Sequence, residues 1–351
     1  MSHQLTYVFI TPQALFKARI GNIISRLLSR SGLELIGARM FTPSVELREQ
    51  LSASLESQPL SANFFKNSLK APQDQAMVLL FHGEDAVEKI SAIVGNDKTM
   101  HGRGETVRDT YGEHFMIQKG ESDQKPSIFY FEPAVIAPAT TEEAVAGLKA
   151  LAAFSDKDGG ILDAKATFPV DAVLEKTLVL IKPDNFRFAN TRPGGVIDLL
   201  ARTGLAIVGC KVHRMSVAQA KEFYGPVLEV LEKKLPDGRS HWESIVAFMA
   251  GRRPSECPEE SHTDSGSELC VALIYQGVDA IRKIRETLGP TDPSKAPHGT
   301  IRKEFGQDIM VNAAHASDAP ESVTRETAII NINENNFKTV IEHHLGKFER
   351  C

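Results

Sequence analysis

Thr6-Tyr7-Val8-Phe9-Ile10-Thr11-Pro12 lies over Thr177-Leu178-Val179-Leu180-Ile181-Lys182-Pro183. Each is a strand-like run that one polar residue and a proline bring to an end. The likeness continues downstream. After the first run, 20–28 has helical spacing, Ser31-Gly32 marks a turn, and 33–40 is apolar. After the second, a helix begins over 195–200, Thr203-Gly204 marks a turn, and 205–212 is apolar. The run 77–81 before His82-Gly83 matches 271–275 before Gln276-Gly277. Thr106-Val107-Arg108 matches Thr300-Ile301-Arg302, Tyr111-Gly112 matches Phe305-Gly306, and Glu143-Ala144-Val145 matches Glu321-Ser322-Val323. Such long-period self-similarity points to a duplicated domain.

Each copy reads β-α-β-α-β-α-β-α, with 5–10 alternating like a strand. This predicts the α+β class: two tandem ferredoxin-like (βαββαβ) domains with extra helices. The first copy is placed at 1–150 and a linker at 151–173, around the solvated turn Asp156-Lys157-Asp158-Gly159-Gly160. The second copy spans 174–335. It is interrupted at about 252–268 by a surface insertion rich in Pro, Ser, Glu and Asp. A polar tail, 336–351, carries a short helix over 337–345.

The chain has 351 residues, 42% of them apolar, enough for two cores. A net charge of −5 argues against a general nucleic-acid binder, which needs a basic face, but leaves room for nucleotides. Four cysteines, Cys210, Cys257, Cys270 and Cys351, are too few and scattered for a disulfide framework, so a reducing cytoplasm is expected. Met1-Ser2-His3-Gln4 opens no signal peptide, and no apolar run is long enough to span a membrane. Cys257, His262 and Cys270 are zinc-ligand types at loose spacing, and no protein metal site is expected. Neither a Gly-x-x-x-x-Gly-Lys-Ser/Thr loop nor a Gly-x-Gly-x-x-Gly turn before a helix is present.

Chemistry concentrates in Asn312-Ala313-Ala314-His315-Ala316-Ser317-Asp318, which closes a segment opened by Gly299-Thr300-Ile301-Arg302. Neutral imidazole is a competent nucleophile near pH 7. Small neighbours leave room for a bulky group to reach it. Arginine is the side chain best shaped to grip phosphate. Together they suggest that His315 is itself phosphorylated.

These motifs resemble those of the nucleoside diphosphate kinases. The resemblance covers roughly 175–330 and includes Lys182-Pro183-Asp184, Phe223-Tyr224, Arg285, Thr291 and Glu326. It implies that Glu326 accepts a hydrogen bond from His315, that Ser317 assists, and that Lys182 reaches the γ-phosphate. It also implies that Arg285, Arg302, Thr291 and Asn312 hold the nucleotide and that Tyr224 supports its phosphate end. Where the family stacks the base on a phenylalanine, this chain has His241 and Trp242, either of which offers a ring. The loop after Asp184 is longer than usual, and Arg187 or Arg192 supplies its arginine. The implied partners are nucleoside di- and triphosphates with Mg²⁺ carried on the phosphates. The implied assembly is a homo-oligomer, a trimer or dimer of two-domain chains.

The first copy keeps the plan without the chemistry. Thr11 stands at the lysine position and Ser91 at that of Arg285. Counting back from Glu143 puts Ala137 at the histidine, Ala139 at Ser317 and Leu148 at the glutamate, and only Arg108 remains. The leading expectation is a kinase that works through phospho-His315 by a ping-pong route. The alternatives are a non-catalytic nucleotide sensor or scaffold, and a protein-histidine phosphotransfer module.

Overall fold

The computed structural model describes residues 3–69, 74–97, 104–117, 127–165, 168 and 171–348. It divides into two units, Met1–Leu162 with Asn335–Cys351, and Asp163–Glu334. The first unit contains β1 (His3–Ile10), α1 (Pro12–Phe16), α2 (Ile20–Ser31), β2 (Glu34–Phe41), α3 (Val45–Ala53), α4 (Pro59–Asn67), β3 (Ala76–Glu84) and α5 (Ala86–Val94). It continues with α6 (Val107–Tyr111), β4 (Glu113–Ile117), β5 (Ser127–Glu132), β6 (Val135–Ile136), α7 (Thr141–Asp158) and β7 (Gly159–Gly160). The second unit contains β8 (Leu174–Ile181), α8 (Arg192–Ala201), β9 (Ala206–His213), α9 (Val217–Phe223), α10 (Gly225–Lys234) and α11 (Gly238–Ala250). After these come β10 (Cys270–Val278), α12 (Ala280–Leu288), α13 (Ile301–Phe305), β11 (Ala314–Ala316) and α14 (Pro320–Ile329). The last helix, α15 (Asn336–Phe348), belongs to the first unit.

Each unit has an antiparallel sheet, ordered β6-β1-β3-β2-β7 in the first and β11-β8-β10-β9 in the second. Fourth, first, third, second is the ferredoxin-like order, so the expected α+β class and tandem plan are what the chain forms. A small hairpin, β4–β5, is added to the first unit. The run 5–10 is buried on both faces, Thr6 as fully as Tyr7, so its alternation in sequence does not mark an exposed side. Ser44 caps α3 by accepting from the Leu47 amide. A capping box of Ser216 and Gln219 opens α9. Gly32 closes α2 at φ 62°, a left-handed conformation that glycine adopts without strain.

The boundaries differ from the sequence expectation in two places. The expected linker starts later, because α7 runs on to Asp158 and Gly159–Gly160 pairs with Met40 and Phe41 of β2. The Asp158 carboxylate accepts from the Ser44 amide and hydroxyl at 2.9 and 2.6 Å, which turns a sequence that looks solvated into a buried joint. Within that linker, residues 166, 167, 169 and 170 lie outside the described residues, as do 118–126 and Cys351. The expected tail is part of the first unit's core. Phe337 and Ile341 of α15 are buried, the Phe337 ring lies 5.6 Å from that of Phe41, and Lys338 pairs with Asp156 at 2.9 Å. Gly277 and Val278 extend β10, Asp279 turns the chain at φ 56°, and α12 begins at Ala280. Among the described residues no helix is long and apolar enough to cross a membrane.

Candidate active site

The second unit's site forms where β8 ends beside β11. Pro183 stops β8 and starts a single 3-10 turn, Pro183–Asn185. The Lys182 amide donates to the Ala313 carbonyl at 2.9 Å, and Asn185 Nδ2 ties the carbonyls of Lys182 and Ala313 together at 2.9 and 2.8 Å. Ala313 sits at φ 69°, a strained setting for a residue with a Cβ. That turn starts β11, whose register places His315 opposite Leu180. The ring points away from the face on which Ala314 and Ala316 are buried.

His315 Nε2 lies 2.8 Å from Glu326 Oε2. Glu326 comes from α14 and is 4% exposed, so its oxygens depend on protein donors. The Ser317 hydroxyl donates to the same oxygen at 2.7 Å, and Arg325 Nη2 donates to Oε1 at 3.2 Å. A carboxylate only accepts, so Nε2 carries the proton and Nδ1 keeps its lone pair. Phe223 lays its ring edge-on to the imidazole at 5.0 Å, with Tyr224 at 6.3 Å.

Around this histidine stand cations with donors to spare. Lys182 Nζ donates to Asn312 Oδ1 at 2.8 Å and the Met310 carbonyl at 3.1 Å. Burial, with the Arg302 charge nearby, brings its ammonium down to about 8. Arg302 spends one Nη1 hydrogen on the Gly289 carbonyl and one Nη2 hydrogen on that of Ala314. Its Nε is buried with no partner, and so is the Tyr224 hydroxyl. Burial and the Arg285 charge bring Arg302 down to about 10, while burial raises the Tyr224 phenol beyond its ordinary range. The Asp318 carboxyl is held below its ordinary range, first by the Ser322 hydroxyl and then by the nearby Arg285 charge. Asn312 Nδ2 reaches the Thr291 carbonyl at 3.1 Å, which ties the Thr291 loop to the same wall. Like charges that lower one another's proton affinity, beside buried unpaired donors, call for an anion with several oxygens.

The remaining sequence candidates separate. Trp242 belongs to the core. It is 4% exposed, and its indole N–H donates to the Tyr224 carbonyl at 2.9 Å, because a buried indole needs an acceptor. His241, the neighbouring residue on α11, is exposed and pairs with Asp237 at 3.1 Å. Of the two loop arginines, Arg192 holds Asp184 at 3.0 Å and the Phe305 carbonyl at 2.6 Å. Arg187 lies over the Phe248 ring at 5.3 Å, the same ring that carries Lys182 at 5.8 Å. The insertion is pinned, since His262 is buried and a Cβ at Gly266 would meet the carbonyls of Met215 and Ala250. Sequence reasoning passed over Phe248 and Arg325. The spacing from Arg325 to its neighbour Glu326 was the available signal for the second.

The first unit repeats the scaffold closely enough to test each equivalence. The Thr11 amide donates to the Ala134 carbonyl at 3.0 Å, and Ala134 has φ 59°. Phe9 pairs with Ile136 as Leu180 pairs with His315. The histidine position is therefore Ile136, one residue before Ala137. The helix starts, Thr141 and Pro320, then align Glu326 with Gly147, not Leu148, and Ser317 with Pro138, not Ala139. Tyr7 fills the glutamate's space, and a Cβ on Gly147 would overlap its hydroxyl. Arg108 donates from Nε to Val135 O, from Nη1 to Gly95 O and Gln58 Oε1, and from Nη2 to Gln58 Oε1 and Ser61 Oγ. Every N–H is taken, so this guanidinium has nothing left for a phosphate.

A family model described as "Nucleoside diphosphate kinase" matches residues 4–121 and again 175–335. The nucleoside diphosphate kinase of Nitrosospira multiformis is 37% identical over 155 residues, 44% of this chain and 91% of the relative. That of Staphylothermus marinus is 35% identical over 156 residues, 44% of this chain and 92% of the relative. Among solved structures, an orthorhombic crystal form of the Aquifex aeolicus nucleoside diphosphate kinase is 31% identical. It covers 45% of this chain and 95% of that one, with a TM-score of 0.34.

Proposed function

The chain belongs to the nucleoside diphosphate kinase family, and we propose that its second unit moves a phosphoryl group between nucleotides through His315. One observation carries this reading. Glu326 engages Nε2 of His315 at 2.8 Å, so Nδ1 is the nitrogen left to react. In the first half-reaction the Nδ1 lone pair attacks the γ-phosphorus of a nucleoside triphosphate. The bond from that phosphorus to the β–γ bridging oxygen breaks, and the diphosphate leaves with the electron pair. Nε2 keeps its proton, and Glu326 offsets the positive charge on the phosphorylated ring. A second nucleoside diphosphate then enters the same cleft, and its terminal oxygen attacks the phosphorus, which restores the free imidazole.

The charged groups do the electrostatic part of this transfer. Lys182, Arg285 and Arg302 neutralise oxygens on the moving and leaving phosphates, which is most of what phosphoryl transfer asks of a protein. Tyr224 and the spare donors of Arg302 supply hydrogen bonds that otherwise have no partner. Thr291 and Asn312 line the same wall, and His241 is the ring left for the base once Trp242 is assigned to the core. Mg²⁺ fits as an ion that the phosphates bring, because the cleft's own free donors are cationic and no His, Cys, Asp or Glu group among the described residues gathers to hold one. When bound, it neutralises phosphate charge. No disulfide joins cysteines among the described residues, which suits a reducing cytoplasm, and a closed ring of three chains is the proposed assembly.

The test is incubation with γ-labelled ATP. The reading expects a phosphoprotein that is labile in acid and stable in base, and that discharges to any added nucleoside diphosphate with formation of the labelled triphosphate. Nucleotide binding without label on the protein favours the sensor or scaffold reading instead.

A further inference from the structure

Glu326 does not meet His315 alone. Its Oε2 accepts from His315 Nε2 and from the Ser317 hydroxyl, while Oε1 accepts from Arg325 Nη2 at 3.2 Å. The other end of that guanidinium is spent elsewhere. Arg325 Nη1 donates to the carbonyls of Glu222 and Phe223, both at 3.3 Å. These close α9, and a cation at a helix carboxyl end is favourable there. Phe223 is the residue whose ring meets the His315 imidazole edge-on at 5.0 Å. One side chain thus joins the carboxylate behind the imidazole to the wall beside it.

We propose that Arg325 is a positioning residue that sets how firmly Glu326 supports the phosphorylated ring, so that the intermediate is held at an energy from which it can be released. The inference rests on the phospho-His315 reading. Phosphorylation at Nδ1 gives the ring a positive charge, and the Glu326 carboxylate stabilises it. Arg325 draws on the same carboxylate from its other oxygen. A cation there weakens the pull on the ring, and its removal strengthens it. Ser317 and burial keep Glu326 in place when Arg325 is lost, so the change is one of charge and not of position. Arg325 is 37% exposed in its side chain, so solvent reduces the effect.

The experiment measures the first half-reaction at equilibrium, free enzyme plus ATP against phosphoenzyme plus ADP, in the full chain and in Arg325→Gln and Arg325→Lys. Arg325→Gln is expected to move the equilibrium toward phosphoenzyme by roughly two- to fivefold and to slow discharge to ADP. Arg325→Lys keeps the charge and should restore the equilibrium, while losing the two-carbonyl fork. Thermal melting of all three proteins separates this from folding, since a purely structural role lowers the melting point and leaves the equilibrium alone. An Arg325→Gln equilibrium within experimental error of the parent, or one shifted toward free enzyme, overturns the inference. If the parent itself forms no phosphoenzyme, the phospho-His315 reading is what has failed.

Discussion

At the scale of the residue, the proposed transfer gives neighbouring groups separate tasks: His315 would form the bond, Glu326 would fix its tautomer, and Lys182 with the arginines would hold charge. His315→Asn should lose at least about 10⁴-fold in kcat with an unchanged melting point, because no neighbour offers another imidazole nitrogen. Glu326→Ala should lose about 10- to 100-fold, since an orienting group contributes less than what it orients. Substantial nucleotide exchange by purified His315→Asn, measured with ATP and a second diphosphate, would remove His315 from the mechanism. Lys182 adds a pH signature. Its ammonium is brought down to about 8, so the free enzyme loses this charge as pH rises through that value. The kcat/KM for nucleotide should therefore fall above pH 8, with kcat less affected because bound phosphate restores the proton. Lys182→Arg stays charged and should lack the inflection, and a parent profile flat from pH 7 to 9 would contradict the assignment. That His315, Ser317 and Glu326 come together was legible in sequence because their types are few and their order is specific. Trp242 was not, because whether an indole stacks on a ligand or donates into the core depends on the carbonyl of Tyr224, eighteen positions away in sequence.

At the scale of the element, the two units share strands, turns and helix starts, and differ in what fills the space between them. Tyr7 of β1 presses on Gly147 of α7 where the second unit has Leu178 and Glu326. Gly147→Ala should destabilise the first unit by about 1–3 kcal/mol through overpacking, and Tyr7→Leu in the same chain should recover part of it. Arg108→Ala leaves the carbonyls of Val135 and Gly95, Gln58 and Ser61 without this donor. It should cost roughly 3 kcal/mol or more in denaturant titrations, yet keep kcat within twofold. A large loss of kcat with unchanged stability would show that the first unit takes part in the chemistry. The duplicated plan could be read from runs such as 6–12 and 177–183 because alternation and proline act locally. The one-residue shift to Ile136 and Gly147 could not. It depends on the pairing of β6 with β1, which follows a segment where the two copies differ in length. Nor could the place of α15, whose apolar face reads the same whichever sheet it covers.

At the scale of the whole molecule, the proposed phosphate chemistry belongs to the second unit, because the first keeps the scaffold with Thr11 and Ile136 where Lys182 and His315 stand. The first unit then persists for its surface and its fold. A ring of three chains, each contributing two domains, follows if the tandem pair takes the part of a dimer of single domains. Light scattering should then report about three times 38.5 kDa, whereas twice that mass supports the competing dimer and a single chain's mass rules out both. The count of phosphoryl groups is the sharper question, because it asks where the chemistry resides. Intact-mass measurement of the full chain after brief exposure to excess ATP and Mg²⁺, without acid, should show one added phosphoryl group per chain. His315→Asn should show none, and Arg108→Ala should still show one. Two groups on the parent chain, or one retained by His315→Asn, would contradict the account.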